Sequence, residues 1–122
     1  MAHVLVIDDD PLFREIAQEM LDQAGHAVTL ASDGAKVDGL PAAPAPDLAV
    51  VDMLMPDRDG IETIADLTAR WPTIKVIAVS AGGRNLEPSL LLRAAMALGA
   101  HATLAKPLER EAFLALVGSL LG

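Results

Sequence analysis

Four apolar stretches of the chain each end in polar residues that could do chemistry together. The four endings are Asp8-Asp9-Asp10, Asp52, Ser80 and Lys106. A carboxylate at the end of a buried strand costs free energy unless a cation or hydrogen-bond donors surround it. We therefore expect the acidic endings to share partners with one another and with the lysine.

The chemistry that these residues predict is transfer of a phosphoryl group to a carboxylate. Asp52 would be the nucleophile, and the product would be an aspartyl phosphate. Because the carboxylate and the phosphoryl group are both anionic, the reaction needs counter-charge, which Mg²⁺ supplies through oxygen ligands. We expect Asp8, Asp9 and Asp52 to hold this metal together with the backbone carbonyl of Leu54.

Lys106 and Ser80 would act on the phosphoryl group itself. The Lys106 ammonium is a compact point charge suited to pairing with it, and the Ser80 hydroxyl can donate to one of its oxygens. Phosphoryl transfer depends on positioning and electrostatics, so this set needs no catalytic histidine. His3, His26 and His101 share no spacing typical of metal ligands, and we interpret them as strand-end or surface residues.

The elements that must position these residues alternate between strands and helices. Strands are predicted at 3–7, 27–30, 48–52, 73–79 and 101–105, and helices at 11–24, 35–40, 61–70, about 87–98 and 108–121. This alternation is typical of a parallel sheet with helices on both faces. The carboxyl ends of its strands line one crevice, which would bring the four polar endings together.

Helical periodicity predicts which side chains face the sheet. The buried face of the first helix, which Asp10 would cap, is predicted to be Leu12, Phe13, Ile16, Ala17, Met20, Leu21 and Ala24. The corresponding residues of the helix at 61–70 are Ile61, Ile64, Ala65 and Thr68, and those of the last helix are Phe113, Leu116, Val117 and Leu120. The second helix must be short, since three prolines follow it within 41–46.

Composition excludes several classes of function. A length of 122 residues without a linker-like segment predicts one domain, 1–122, with no effector domain attached and output through a partner protein. A net charge of −8 and an aromatic content of 2% oppose binding to nucleic acids or anionic membranes. The chain has no cysteine and no apolar segment of the roughly 18 residues that span a bilayer, so we predict a cytoplasmic protein.

The motifs around the four endings are similar to those of a known family. The chain resembles the receiver domain of two-component response regulators in Val-Leu-Val-Ile-Asp-Asp-Asp at 4–10, Asp-Met-Leu-Met-Pro-Asp-Arg-Asp-Gly at 52–60, Val-Ile-Ala-Val-Ser at 76–80 and Lys-Pro at 106–107. The resemblance covers essentially the whole chain. It implies a flavodoxin-like (βα)5 doubly wound parallel sheet with strand order 2-1-3-4-5.

The resemblance also implies a role for each site residue. Asp52 would accept phosphate from a histidine kinase or a histidine phosphotransfer protein, while Asp8 and Asp9 serve Mg²⁺. Ser80 would read the phosphoryl group and Lys106 would pair with it. A domain of this kind is a signalling switch that catalyses its own phosphorylation and dephosphorylation, and it is not a conventional enzyme.

The sequence departs from this family three residues before the lysine, where receiver domains commonly carry an aromatic side chain that turns inward. Here the residue is Thr103, which is too small to fill the space that a moving Ser80 would leave. We expect the switch to act mainly through the 80–86 loop and the helix at about 87–98. Because that helix is apolar almost all round, Leu92 and Met96 are expected to face outward as a partner surface.

Two alternatives remain open. An apolar strand followed by three acids also fits a haloacid-dehalogenase-type phosphatase with Asp8 as nucleophile and Asp10 as acid, although the chain is short for that fold and lacks a second acidic pair. The other alternative is a module that binds partners without phosphorylation. The complete set of acids, serine and lysine argues against it, since such a module has no need of costly buried charge.

Overall fold

The computed structural model describes residues 2–53, 60–80 and 88–122, with side chains in the last range described from 93 onward. The strands are β1 His3–Ile7, β2 Ala27–Ala31, β3 Leu48–Asp52, β4 Lys75–Ser80 and β5 Ala102–Ala105. The α-helices are α1 Pro11–Gln23, α2 Gly60–Arg70, α3 Pro88–Ala97 and α4 Arg110–Leu121, and a 3₁₀ helix spans Gly34–Gly39. Within these described ranges, none of the helices has the length and apolar character needed to cross a membrane.

The strands form one parallel sheet of order β2-β1-β3-β4-β5, which confirms the predicted flavodoxin-like fold class and strand order. Because β1 lies between β2 and β3, the winding reverses there, and the crevice beyond these strand ends is where such sheets bind ligands. Ile7 of β1 pairs with Val51 of β3. Asp8 and Asp52 therefore leave the sheet side by side.

Both faces of the three central strands, β1, β3 and β4, are buried. On β1, Leu5 belongs to a core under the 3₁₀ helix and α2, and Val6 belongs to a second core under α1 and α4. Strands buried on both faces read as nearly continuous apolar runs, which is why the sequence places them well.

The orientation of α1 differs from the prediction. Its buried residues, spaced one turn apart, are Phe13, Ala17 and Leu21. Leu12 and Ile16 are 61% and 40% exposed, and Ala24 is the exposed C-cap residue. The prediction of these three as buried was wrong, because the stripe that a helix buries against a sheet is narrower than the apolar stripe of this sequence.

The face that α2 buries is also rotated from the predicted one. The buried residues are Gly60, Thr63, Ile64 and Leu67. Ala65 is exposed, so its predicted inward position was wrong, while Ile61 and Thr68 are half-buried. The helix begins with Gly60 packed closely against the end of β3.

In α4 the predicted inward face is confirmed. Phe113 and Val117 are buried, and Leu116 and Leu120 are partly buried against the same core. The helix begins at Arg110, later than the predicted Leu108. Glu109 sets this start, because its carboxylate accepts a hydrogen bond from the Ala112 amide at 2.8 Å.

The second predicted helix is a single short 3₁₀ helix, followed by a segment, 41–46, without helix or strand. The end of α2 holds this region in place. Arg70 donates hydrogen bonds to the carbonyls of Val37 and Leu40, and Trp71 Nε1 donates to the Ala42 carbonyl at 3.2 Å. The prolines therefore shorten the helix, as expected, while side chains of α2 and of the residue after it supply the missing partners.

Candidate functional site

The four polar endings lie at the carboxyl ends of neighbouring strands. Asp8 follows β1, Asp52 and Ser80 end β3 and β4, and Lys106 follows β5. The exposed fractions of Asp8, Asp52 and Ser80 are 0%, 3% and 1%. Acidic side chains are almost never fully buried unless they are paired, so this burial marks the crevice as a site rather than a solvated acidic edge.

Three carboxylates form the acidic part of the site. One oxygen each from Asp8, Asp9 and Asp52 lies within 4.8 Å of the other two. Asp9 is exposed and the other two are buried, so the cluster reaches solvent through Asp9. Leu54, whose carbonyl is predicted to join the set, lies outside the described residues.

The donor set fits Mg²⁺, which binds hard oxygen ligands and uses few carboxylates. Together with the ammonium of Lys106, the three carboxylates leave a net charge of about −2, which one divalent cation balances. Carboxylates held this close repel one another in the absence of a cation. The cluster therefore has both the chemistry and the charge to hold Mg²⁺.

Asp8 is held in place by contacts on both sides. Its amide donates to the Ala31 carbonyl at 3.1 Å, and its Oδ1 accepts from the Asp10 amide at 2.9 Å. Arg14 donates to the Asp8 carbonyl at 2.7 Å. Asp10 in turn caps α1, as predicted, because its carboxylate accepts from the Leu12 amide at 3.0 Å. These contacts fix Asp8 between β1 and α1.

Lys106 lies between the two buried carboxylates. Its Nζ is 2.8 Å from Asp8 Oδ2 and 3.7 Å from Asp52 Oδ2, and it sits 4.5 Å from the centroid of the Phe13 ring. Burial alone would lower the pKa of Lys106, but its hydrogen bond with Asp8 and the charges of Asp52, Asp8 and Asp10 raise that pKa above its usual value. Lys106 is therefore a fixed positive charge in the site.

Ser80 contributes a buried hydroxyl, and its Oγ has no hydrogen-bond partner within the part of the chain that the structure describes. The Lys106 amide donates to the Ser80 carbonyl at 2.8 Å, which ties the ends of β4 and β5 together. Thr103 pairs with Ala78, so Thr103 and Ser80 project from the same face of the sheet. A buried hydroxyl without a partner costs free energy, and a new acceptor would remove that cost.

Gly60 also contributes to the site, although from the sequence it was predicted only to mark the end of a loop. A Cβ atom at this position would lie 2.7 Å from Met53 Cα and 2.8 Å from the Asp52 carbonyl oxygen. The Gly60 amide also donates to the Met53 carbonyl at 3.3 Å. The signal in the sequence was a glycine shortly after the phosphoacceptor candidate, where close approach of two backbones requires the smallest residue.

Two further contributors, Phe13 beneath Lys106 and Arg14 on the Asp8 carbonyl, were also missed. Both lie on α1, and Phe13 was predicted only as a core residue. The contact of Phe13 with Lys106 joins opposite ends of the chain. No local spacing in the sequence could have indicated it.

The three histidines make structural contacts away from this site. His3 Nε2 lies 2.7 Å from Thr29 Oγ1, and His26 Nδ1 accepts from the Ala2 amide at 3.2 Å. His101 Nδ1 accepts from the Val76 amide at 3.1 Å. Desolvation by burial, followed by the charge of Lys75, lowers the pKa of His101. None of the three lies among the acids of the candidate metal cluster.

Comparisons with known proteins agree with this geometry. The sequence profile of the response regulator receiver domain family matches residues 4–118. Response regulator MprA of Mycolicibacterium vanbaalenii is 34% identical over 118 residues, which cover 97% of this chain and 49% of that protein. Protein CcdB of Bacillus subtilis is 31% identical over 123 residues, which cover 100% of this chain and 99% of that protein.

Solved structures show the same likeness. The crystal structure of a CheY-like response regulator receiver domain protein from Methanospirillum hungatei superposes with a TM-score of 0.86 at 25% identity, covering 99% of this chain and 94% of the other. The chain spans about half the length of the MprA relatives and nearly all of CcdB. With its sequence, its sheet order and its acidic crevice in agreement, the chain belongs to the response regulator receiver domain family.

Proposed function

We propose that Asp52 is the phosphoacceptor of this receiver domain and takes its phosphoryl group from a phosphohistidine donor. One observation carries the proposal: the buried Asp52 carboxylate lies beside the acidic cluster and 3.7 Å from the ammonium of Lys106. In the reaction a carboxylate oxygen of Asp52 bonds to phosphorus and the donor's N–P bond breaks. The donor imidazole leaves with the electron pair of that bond.

Members of this family are signalling switches rather than conventional enzymes, and response regulators interact with histidine kinases and downstream effectors. The finer proposal for this chain is that it catalyses its own phosphorylation and dephosphorylation. The donor would be a histidine kinase or a histidine phosphotransfer protein in the cytoplasm. Output would pass to a downstream protein partner rather than to nucleic acid, in keeping with the net charge of −8.

Asp8, Asp9 and Asp52 would hold Mg²⁺, with the Leu54 carbonyl as a further ligand. When bound, the ion would offset the repulsion between the Asp52 carboxylate and the incoming phosphoryl group. Asp8 is preorganised for this task by its amide and carboxylate contacts, so it would orient a ligand oxygen without a large rearrangement. Asp9 is exposed and would close the site from the solvent side.

Lys106 and Ser80 would distinguish the phosphorylated from the unphosphorylated site. A phosphoryl group on Asp52 would place new anionic oxygens near Nζ, which already lies within 4 Å of the Asp52 carboxylate at 3.7 Å. The Ser80 hydroxyl would gain an acceptor that the described residues do not give it. Each group interacts differently with the two states, which is the condition for converting phosphorylation into a shape change.

The phosphohistidine donor would approach along α1. Leu12 and Ile16 are exposed and line an open cleft with Pro107 and Leu108, and this cleft reaches Lys106. An exposed apolar patch beside a reactive site is typical of a surface that binds another protein. The position of the patch at the entrance to the site favours the phosphoryl donor over the output partner as its occupant.

The output surface is proposed to lie on α3 and the preceding loop. Met96 is 48% exposed on α3, as expected for a residue that faces a partner, whereas the side chain of Leu92 and the loop from 81 onward lie outside the described part of the chain. Thr103 lies on the same sheet face as Ser80 and has no aromatic ring to move inward. We therefore propose that the loop and α3 carry the signal.

The phosphatase alternative finds no support in the geometry. Asp8, its proposed nucleophile, has both carboxylate oxygens engaged, Oδ1 with the Asp10 amide and Oδ2 with Lys106. Asp10, its proposed acid, uses its carboxylate to cap α1. Neither side chain is placed to attack or protonate a substrate in the way that mechanism requires.

The proposal is tested by incubating the protein with acetyl phosphate and Mg²⁺ and weighing the intact chain. We expect a gain of one phosphoryl group that is lost in Asp52→Asn and retained, at a lower rate, in Asp8→Asn. Phosphorylation that survives Asp52→Asn and disappears in Asp8→Asn would instead support the phosphatase. No mass gain in the folded wild-type protein would support a module that binds without phosphorylation.

A further inference from the structure

A cavity of about 130 Å³ lies under the proline-rich segment 41–46, at the opposite end of β1 from Asp8. Its walls are mainly apolar and include Leu5, Leu40, Pro44 and Trp71. An apolar protein cavity of about 150 Å³ is known to stay dry and to bind benzene. The cavity therefore has the size and the lining to take a single small ring.

Hydrogen bonds from Arg70 and Trp71 hold the segment that covers the cavity in place. Trp71 is nearly buried and its Nε1 donates to the Ala42 carbonyl at 3.2 Å. Arg70 donates to the Leu40 carbonyl and stacks over the Trp71 ring, 4.5 Å from its centroid. These contacts attach the segment to the end of α2 and to the Trp71 side chain of the cavity wall.

One polar atom of a residue that lines the cavity has no hydrogen-bond partner among the described residues. His3 lines the cavity, and its Nδ1 is buried without a hydrogen-bond partner in the part of the chain that the structure describes. The other polar side chains of the lining are already engaged: Thr29 Oγ1 contacts His3 Nε2 at 2.7 Å, and Trp71 Nε1 is bound to a carbonyl. Among the described side chains of the lining, the His3 ring therefore supplies the polar atom that still lacks a hydrogen-bond partner.

We propose that this cavity binds a small neutral aromatic ligand that carries one hydroxyl group. The ring packs among the leucine, proline and tryptophan side chains, and the hydroxyl forms a hydrogen bond with His3 Nδ1. A hydroxyl can both donate and accept, so it satisfies Nδ1 whichever tautomer the contact with Thr29 selects. A charged ligand is excluded because the lining offers no opposite charge.

Phenol is the probe, and Trp71 is the reporter because it is the one tryptophan of the chain and lies in the cavity wall. Fluorescence is excited at the red edge of tryptophan absorption, where phenol does not absorb. We expect phenol to change the Trp71 emission saturably. It should bind about fivefold more tightly than benzene, the effect of one hydrogen bond to a buried acceptor or donor.

Two variants separate the polar from the apolar part of the proposal. His3→Phe removes Nδ1, so phenol should bind no more tightly than benzene. Leu40→Phe adds volume at the cavity wall and should abolish binding of both probes. The control is Leu98→Phe, which makes the same replacement at an exposed residue outside the cavity lining and should bind both probes as the wild type does.

A wild-type protein whose Trp71 emission changes only linearly with phenol has no such site, and the proposal fails. Equal affinity for phenol and benzene removes the role of His3 and overturns the assignment of a hydroxyl-bearing ligand. Binding that persists in folded Leu40→Phe places the probe elsewhere and also overturns it. Because the probe is followed without phosphorylation, none of these results depends on the proposed role of Asp52.

Discussion

Lys106 is bound to Asp8 more closely than to Asp52, with Nζ–Oδ2 distances of 2.8 Å and 3.7 Å. Asp8 follows β1 and Lys106 follows β5, and these strands lie on opposite sides of β3. The ion pair therefore crosses the end of the strand that carries Asp52. A phosphoryl group on Asp52 would compete with Asp8 for the lysine, so the lysine would connect the proposed phosphoacceptor to the first and last strands.

Replacing Lys106 with methionine should affect stability and phosphorylation separately. Asp8 would be left buried without its ion pair, which should lower the free energy of unfolding by about 3 kcal/mol, the low end for a buried pair because Lys106 is partly exposed. Loss of a charge that stabilises the reacting group should slow phosphorylation on the order of 100-fold. Urea unfolding without Mg²⁺ and a mass time course with acetyl phosphate measure the two effects.

Lys36→Met is the matched control for this lysine. Lys36 is exposed on the 3₁₀ helix, and it is its backbone amide that donates a hydrogen bond to Asp33 Oδ1. The Lys36→Met variant should have the same free energy of unfolding and the same rate of phosphorylation as the wild type. Equal rates for Lys106→Met and the wild type would remove Lys106 from the reaction.

Mg²⁺ should stabilise the folded chain, because under our proposal it would bind carboxylates that repel one another without it. At a free concentration about 100 times its Kd, the gain in the free energy of unfolding is about 2.7 kcal/mol. Thermal unfolding with and without Mg²⁺ measures this shift. Asp9→Ala should lose most of it, since Asp9 is a member of the cluster.

The control for the metal site is Glu19→Ala, which removes an exposed acid of α1 outside that cluster. It should keep the full response to Mg²⁺. If Asp9→Ala and Glu19→Ala respond equally to the ion, the metal site lies elsewhere.

Gly60→Ala should destabilise the protein, because the new Cβ would approach Met53 Cα to 2.7 Å and force β3 and α2 apart. Overpacking of this kind costs about 1–3 kcal/mol. Gly118→Ala is the contrasting variant. Gly118 lies in the interior of α4, and a Cβ atom added there would have no neighbour within 4 Å. The replacement should stabilise the protein by about 0.5–1 kcal/mol. Urea unfolding of both variants tests the pair, and effects of the same sign would contradict the packing argument.

The sequence located the strands and the polar residues at their ends because both are local signals. Each strand is an apolar run bounded by turn residues, and Asp8, Asp52 and Ser80 directly end or follow such runs. The strand order came from the family resemblance and is confirmed. Because parallel strands run in the same direction, their carboxyl ends meet at one edge of the sheet, and this alone brings the polar residues together.

The rotation of the helices could not be read from periodicity, since apolar residues cover more of α1 than the sheet can bury. Leu12 and Ile16 were assigned to the core and are exposed. In α2 the backbone of Gly60 lies against Met53, and Ala65 is exposed rather than on the predicted inward face. These facts depend on tertiary packing between distant segments.

Ser80→Ala should leave phosphorylation of Asp52 in place and raise the free energy of unfolding slightly. The variant removes a buried hydroxyl without a partner among the described residues, which should stabilise the unphosphorylated protein by about 1 kcal/mol. It should also weaken the response to phosphorylation, because no hydroxyl remains to contact the phosphoryl group. Unfolding in urea measures the first effect.

Backbone amide shifts with and without beryllofluoride and Mg²⁺ measure the second effect of Ser80→Ala. In the wild type we expect the largest changes away from the acids to fall at 82–96 rather than at 101–105, and the variant should reduce those changes. Thr103→Ala is the control, since we assign Thr103 no part in the switch. A full response in Ser80→Ala would exclude the Ser80 hydroxyl from the mechanism.

Stability should fall with acid pH through His101, which joins β4 to β5. Its Nδ1 accepts a hydrogen bond from the Val76 amide. A proton on Nδ1 would place the His101 N–H opposite the Val76 N–H, and that hydrogen bond would be lost. Because burial and then Lys75 lower the pKa of His101 in the fold, the unfolded chain binds the proton first as pH falls. The stabilisation is therefore fully present above the usual histidine pKa of about 6.5 and is lost as pH drops through the lowered value. Urea unfolding from about pH 7.5 to 5 measures this loss.

His101→Asn isolates the contribution, because the Asn carboxamide oxygen can accept from the Val76 amide but does not titrate. The variant should therefore lose stability less steeply with falling pH than the wild type does. His26→Asn replaces a histidine whose Nδ1 accepts from the Ala2 amide and that is not part of the β4–β5 contact, so the slope due to His101 should persist in it. Identical slopes for the wild type and His101→Asn would show that the Val76 contact does not couple stability to pH.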